Sequence, residues 1–390
     1  MIKRLSCEMM HRFNSIFILA FLMVVVSCEQ KRSNVTEISE GSQISTLQYA
    51  KGFEVTYYDD GTKAVNVLYP FQGATSGYRY LLVPKDKPVP DNEEGVRVIR
   101  IPVTSIVCTS TTHIPLLDYL NETDKLVGFP TTDYVSSVKA RRHIDEGRVQ
   151  ELGVDKGLNL ERIAMLKPDM VMGYSMNSDY GQFKKIEDLN VPVVLNGEYL
   201  EKHPLGRAEW IKFMALFFNK EPEADSVFRE IEKEYFATKS LVDSVVKKPT
   251  VLSGIVYGDA WFLPGGQNYA ARLLKDAGCH YLWDNDSTNG FLELSFESVY
   301  EKAYDADLWI GVGSFSSLKE IGNSDGRYSN FKPFKTGEVY TSNARQGTKG
   351  GSEFLELGYL RPDIILKDLV KIAHPELLPG HELYFHQKLE

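Results

Sequence analysis

The chain has 390 residues, 43% of them hydrophobic and 25% charged, enough for two or three domains with substantial cores. Asp and Glu (53) outnumber Lys and Arg (44), which leaves a net charge of −9. That balance argues against a nucleic-acid binder, which would present a basic face. An anionic ligand held by a few local arginines stays open.

Lys3, Arg4, His11 and Arg12 precede an apolar run over 16–26, which ends in Val25-Val26-Ser27-Cys28. A basic segment, a short apolar core and a small residue before a cut describe a secretory signal peptide over 1–27. The run of eleven residues is too short for a membrane span, which needs about 20. Val25, three positions before Cys28, makes the site resemble a bacterial lipobox. Cys28 is therefore expected to carry lipid and to begin the exported protein, anchored to a bacterial membrane and facing the periplasm. Cys7 leaves with the signal. Cys108 and Cys279 fall in different lobes and read as buried small hydrophobes, not as a disulfide framework. Residues 28–48 are polar and without period, and read as a tether.

Over 49–95 the pattern becomes β. Phe53-Glu54-Val55-Thr56-Tyr57-Tyr58 and Ala64-Val65-Asn66-Val67-Leu68-Tyr69 flank Asp59-Asp60-Gly61, the mark of a hairpin, and 78–83 supplies a third strand. A first α/β lobe is expected over 96–220. Its strands fall at 96–101, 106–108, 126–129, 170–173 and 191–195, and its helices at 113–120, after 159, near 183–189 and at 210–218. A single long helix is expected over 221–247, with Val227, Ile231, Tyr235, Leu241, Val242 and Val245 forming its apolar stripe and Thr238 filling the gap. The βα pattern then restarts over 248–390. Strands alternating with helices predict parallel sheets covered on both faces. The fold class is α/β: two Rossmann-like lobes joined by one long helix, with an N-terminal β extension.

One pattern occurs in both lobes. Asn159-Leu160-Glu161 opens a helix that leads through Pro168-Asp169 into Met170-Val171-Met172-Gly173. Ser295-Phe296-Glu297 opens another that leads through Asp305-Ala306-Asp307 into Leu308-Trp309-Ile310-Gly311. Asn159 and Ser295 are good N-caps, and a carboxylate at the second helical position favours the helix dipole by roughly 0.3–1 kcal/mol. Each glutamate therefore reads as helix stabilisation taken singly. The pair reads as two acidic tips that dock on a membrane partner. The repeat is imperfect, with eight positions from Glu161 to Asp169 and ten from Glu297 to Asp307.

These residues resemble a known family. Thr104-Ser105-Ile106-Val107 with Ser110-Thr111-Thr112, then Leu117-Asp118-Tyr119-Leu120 and Leu126-Val127-Gly128, resemble the first βαβ unit of the iron-complex and cobalamin periplasmic binding proteins. Asn159-Leu160-Glu161-Arg162-Ile163 to Leu166-Lys167-Pro168-Asp169 continues the likeness. So do Trp261-Phe262-Leu263-Pro264-Gly265-Gly266, Leu294-Ser295-Phe296-Glu297 and the stretch from Arg361-Pro362-Asp363 to His374-Pro375-Glu376. The similarity spans about residues 96–385, in family order. The β extension is similar to that of exported binding lipoproteins of the Bacteroides group. The resemblance implies a class III periplasmic binding protein, a monomer with ligand held between two lobes and small closure about one rigid helix. It also implies an ABC transporter permease as partner, docked through Glu161 and Glu297, and an iron chelate, haem or corrinoid as ligand.

Ligand contacts are expected from loops at the carboxyl ends of strands. Those loops offer Thr111 and Thr112, Tyr134 with Arg141 and Arg142 nearby, Tyr174, Glu198 and Tyr199. Trp261 before a Pro-Gly-Gly turn and Arg345 in the Gly-rich loop 343–351 complete the set. Thr112, Tyr134, Tyr174, Tyr199, Trp261 and Arg345 are the chosen ligand residues, because aromatics and arginines suit a large planar or anionic chelate. His113, His143, His203 and His280 lack tight ligand spacing, so no resident metal or cofactor is expected. His113 at a helix start stays open as a polar cleft residue. The chain has no Gly-x-Ser-x-Gly elbow, phosphate loop or dinucleotide fingerprint, so it reads as a carrier and not an enzyme. Two other readings stand beside it: a lipoprotein that scavenges ligand for an outer-membrane receptor, and a free zinc or manganese carrier.

Overall fold

The computed structural model describes residues 43–90, 95–154 and 157–390. The signal segment and Cys28 lie outside the described residues. Five strands, Gln43–Ile44, Phe53–Tyr57, Lys63–Val67, Tyr78–Pro84 and Arg97–Ile101, make the first sheet in chain order. Its first three pairings are antiparallel. The tether expected over 28–48 thus yields its last residues to the sheet, with Gln43 opposite Tyr57.

The boundary at 96 needs correction. Arg97–Ile101 pairs in parallel with Tyr78–Pro84, so it closes the extension sheet instead of opening the first lobe. The reason lies in its own alternation: Ile99 and Ile101 are buried while Arg97, Val98 and Arg100 are only half covered. A central parallel strand is apolar on both faces. Ile106–Cys108 and Met170–Gly173 meet that requirement and are buried throughout.

Two buried glutamates fasten the extension to the N-terminal lobe. The Glu209 carboxylate accepts from the amides of Gln48, Tyr49 and Ala50 at 2.8–3.1 Å. Glu201 Oε1 accepts from the amides of Lys51 and Gly52 and from Trp210 Nε1. Lys212 Nζ adds a fourth donor to Glu209 at 3.0 Å, and these bonds offset the cost of burying the two carboxylates.

The N-terminal sheet runs Val193–Leu195, Met170–Gly173, Ile106–Cys108, Leu126–Phe129, Gln150–Glu151, all parallel. The C-terminal sheet runs His280–Tyr281, Thr250–Ser253, Leu308–Ile310, Val339–Thr341, Gln387–Lys388, parallel except for the last pair. A three-stranded antiparallel sheet of Ile255–Tyr257, Ala260–Pro264 and Phe291–Leu294 extends from this lobe. The fold is α/β with two parallel-sheet lobes.

The long helix, expected over 221–247, is Glu221–Ser240. It buries Ala224, Phe228, Ile231, Tyr235 and Thr238 along one stripe, and at 1.5 Å per residue it spans about 30 Å. Beyond Ser240 the stripe breaks up: Val242 stays in the core, while Leu241 is exposed and Val246 is 97% exposed. No helix among the described residues is long and apolar enough to cross a membrane.

Candidate ligand-binding cleft

Loops leave a parallel sheet at its carboxyl end, and the two carboxyl ends face each other here. Ser136 and Ser137, in the loop after Leu126–Phe129, donate their amides to Glu356, which follows Val339–Thr341 in the other lobe; both bonds are 2.7 Å. Arg361 Nη1 of the C-terminal lobe donates to the hydroxyl of Tyr119 at 2.8 Å. The Arg207 guanidinium lies over the rings of Tyr269 and Tyr359, 3.7 and 4.4 Å from their centroids. Its Nη2 also donates to the carbonyl of Tyr199 at 2.8 Å. A shielded cation over ring faces contributes on the order of 1–2 kcal/mol.

The N-terminal wall carries a polar chain. Thr112, at the start of the helix His113–Tyr119, donates its hydroxyl to Glu198 Oε1 at 2.5 Å and meets Ser110 Oγ at 2.8 Å. Asn196 Oδ1 accepts from the Glu198 amide and fixes that loop. Glu198 is 3% exposed, and its Oε2 has no protein partner. Burial raises its carboxyl above the usual range, and the Thr112 bond offsets only part of this. The adjacent His113 is fully buried with both ring nitrogens unpartnered. Burial pushes its imidazole down to about 3, so it is neutral at physiological pH. Among the described residues no three His, Cys, Asp or Glu side chains gather as a metal cage. The wall offers a buried carboxyl group beside a neutral imidazole.

Tyr174 and Tyr199 stand edge to face, 5.4 Å between centroids. Tyr199 donates its hydroxyl to the Ser175 carbonyl and accepts from the Gln72 amide, so the extension helps to hold it. Thr112, Tyr174 and Tyr199 thus belong to one neighbourhood through Glu198 and its loop. Tyr134 is 61% exposed on the rim. Arg345 is exposed too and stacks on Tyr384 at 4.2 Å, within its own lobe. Arg141 is taken up locally, by the Thr132 carbonyl and Asp145.

Trp261 is a correction. It is fully buried, donates Nε1 to the Ser253 carbonyl at 3.0 Å, and packs on Trp309, Tyr328, Phe296 and Phe331 with centroids 5.5–5.8 Å away. Alternation along Ala260–Pro264 turns Trp261 and Leu263 inward and leaves Phe262 half covered. Trp261 is the centre of the C-terminal aromatic core and no part of the cleft surface.

Glu161 and Glu297 are both exposed, each at the second position of a capped helix. Asn159 accepts from the Arg162 amide, and Ser295 accepts from the Ser298 amide. Glu297 has Arg327 at 3.6 Å.

Sequence reasoning missed Glu356, Arg207, Tyr269 and Tyr359. Each sits in an ordinary helical or turn segment, and its partner lies in the other lobe. Glu356 is 2% exposed, and burial, only partly offset by the two serine amides, brings its carboxyl up to about 7.

The family model described as periplasmic binding protein matches residues 106–345. Two uncharacterized lipoproteins of Methanocaldococcus jannaschii are similar along most of the chain. One is 27% identical over 374 residues, covering 90% of this chain and 87% of that protein. The other is 26% identical over 408 residues, covering 96% and 99%. A solved structure of a periplasmic haem-binding protein from Pseudomonas aeruginosa superposes with a TM-score of 0.55 at 15% identity, covering 74% of this chain and 98% of that one. That likeness is one of fold. The family match extends from the first strand of the N-terminal sheet, Ile106–Cys108, past the last parallel strand of the C-terminal sheet, Val339–Thr341, so it takes in both walls of the cleft. The chain belongs to the periplasmic binding protein family.

Proposed function

We propose that this chain is the lipid-anchored binding component of an ABC importer. It takes an iron chelate, haem or a corrinoid into the cleft and delivers it to a membrane permease. The observation that carries the reading is the paired placement of Glu161 and Glu297. Each is exposed, each sits at the second position of a capped helix, and each precedes the second central strand of its own lobe. Two like carboxylates on separate lobes suit a partner with two basic pockets, where charge steers encounter and sets orientation.

A large planar or polyoxygenated ligand suits the walls. Tyr174 and Tyr199 offer ring faces and edges, and the Ser110–Thr112–Glu198 chain offers a buried carboxyl group. The haem ligand named for the Pseudomonas aeruginosa protein supports the ligand class, and the lipoprotein names of the archaeal relatives support anchoring through Cys28. Glu161, Glu297, Thr112, Tyr174 and Tyr199 are the residues assigned to docking and to ligand. Tyr134 and Arg345 are rim residues.

The test is a calorimetric titration of the purified protein with haem, a ferric siderophore and cobalamin, with zinc and manganese salts as controls. Saturable binding of one of the three complexes is the expected result. Binding of a bare metal alone would overturn the ligand class.

A further inference from the structure

We infer that residues 345–357 form a lid that latches one rim of the cleft, with Glu356 as its catch and Gly347 and Gly351 as its seat. The lid is a compact unit of the C-terminal lobe. Gln346 bridges Ser352, Gly347 N donates to Gly351 O at 2.8 Å, and Gly350 N turns back to Gly347 O at 2.9 Å. Ser352 then caps the short helix Glu353–Leu357.

The tip of this hairpin rests on the opposite lobe. A Cβ on Gly351 would lie 2.0 Å from the carbonyl oxygen of Tyr134, and one on Gly347 would lie 2.8 Å from Ser136 Cα. For both glycines, all three nearest atoms belong to residues 134–136 of the N-terminal lobe. Neither has a positive φ, unlike Gly350 at +94°. Gly350 is therefore required by the turn itself. Gly347 and Gly351 are required by the neighbouring lobe alone, and only while the rim is shut.

The catch is as specific as the seat. Glu356 places one oxygen on each of two successive amides, Ser136 and Ser137. Those amides lead into the helix Val138–Asp145, whose N-cap is Ser137. Ser137 Oγ donates in turn to Asp118, whose other oxygen accepts from Thr123 at 2.6 Å. A carboxylate from one lobe thus satisfies the start of a helix in the other. Every partner in the catch is a protein group, so its strength adds to whatever a ligand contributes to closure. The lid sets the fraction of closed protein and so the rate at which the cleft lets its contents go.

The inference rests on the two-lobed reading and not on the identity of the ligand. Its test uses the full-length protein in detergent with nothing added. Spin labels at Met165→Cys and Tyr304→Cys, both exposed and one in each lobe, report the distance between the lobe tips. The parent protein should give one narrow distribution. Gly351→Ala and Glu356→Gln should each add a second, displaced population, raising the open fraction roughly tenfold. Leu355→Ala, at an exposed position on the same helix, should match the parent. Folding is followed by circular dichroism, and Glu356→Gln is the arm that remains if the alanine variant does not fold. Parent-like distances in a folded Glu356→Gln protein would overturn the latch. Because no ligand enters the measurement, failure of the ligand panel cannot be mistaken for failure of the lid.

Discussion

Asp307 does in the C-terminal lobe what Asp169 does in the N-terminal lobe. Asp169 Oδ2 accepts from the amide and hydroxyl of Thr104 at 2.7 and 2.8 Å and pairs with Lys85. Asp307 Oδ2 accepts from the amide and hydroxyl of Thr250, both at 2.9 Å, while its Oδ1 pairs with Lys332 at 3.0 Å. In both lobes the aspartate amide returns a bond, to Ser105 O in one and to Thr250 O in the other, each 3.0 Å. Each staple ties the entry of one central strand to the entry of its neighbour, which is why the same aspartate precedes Met170 and Leu308.

The staples predict an acid response. Burial pushes both carboxyls up, but the threonine and lysine bonds outweigh it and hold both below the ordinary value. A depressed folded-state pKa adds stability above the unfolded value, near 3.9, and that stability is lost as pH falls through the folded value. The melting temperature should therefore drop steeply below about pH 4. Asp169→Asn with Asp307→Asn should flatten that drop and lower the neutral-pH melting temperature by about 2–4 °C per site. Thermal melts across the pH range check both.

Trp261 should behave as a core residue. Trp261→Ala should cost about 3–5 kcal/mol in denaturant melts. Trp261→Phe, which loses only the bond to Ser253 and part of the ring, should cost about 1–3 kcal/mol. Ligand affinity in the folded Phe variant should stay within about twofold of the parent. A larger loss would return Trp261 to the cleft.

Glu161→Ala with Glu297→Ala should abolish uptake in cells and leave ligand affinity unchanged. Both carboxylates are exposed at the second positions of their helices, while Glu198 is buried and bonds Thr112. Loss of ligand binding in the double variant would sink the docking role. Arg327→Ala should change uptake little, since an exposed pair at 3.6 Å is worth about 0–1 kcal/mol.

Glu198 should show a trade between stability and binding. Its carboxyl is buried, lies above the usual pKa and has one oxygen unpartnered. A folded-state pKa raised in this way stabilises the protein at acid pH and costs stability as pH rises through it. Glu198→Gln keeps an acceptor for Thr112 and removes the buried charge, so it should raise the melting temperature at neutral pH. The same change should weaken ligand binding by tenfold or more if Oε2 meets the ligand. Calorimetry on the one variant reads both.

Much of the fold was legible in the chain. Fully apolar three- and four-residue strands such as Ile106–Cys108 and Leu308–Ile310, spaced by helical segments, pointed to parallel sheets. The caps Asn159 and Ser295 marked where helices begin, and the Asp59-Asp60-Gly61 turn marked its hairpin. These signals are local: periodicity, caps and turn residues depend on neighbours a few positions away. The errors came where local signals compete. Arg97–Ile101 has the alternation of an edge or mixed-sheet strand, but its place beside Ile106 suggested the lobe. Trp261 lies next to a Pro-Gly-Gly turn, which suggested a loop, yet the pleat turned it inward.

Other features had no local trace. Glu356 reads as a helix-surface glutamate until Ser136 and Ser137, more than 200 positions earlier, are brought against it. Arg207 reads as one charge among many until Tyr269 and Tyr359 come against it. Glu201 and Glu209 read as solvated until the amides of 48–52 fold over them. The sequence alone determined the element types, the two-lobed class and the acidic helix starts at Glu161 and Glu297, because these follow from backbone preference and hydrophobic period. Only the tertiary structure decided which carboxylates are buried, which aromatics pack in the core and which side chains bond one lobe to the other. Those depend on groups far apart in the chain meeting at hydrogen-bond distance, where burial changes what each group can do.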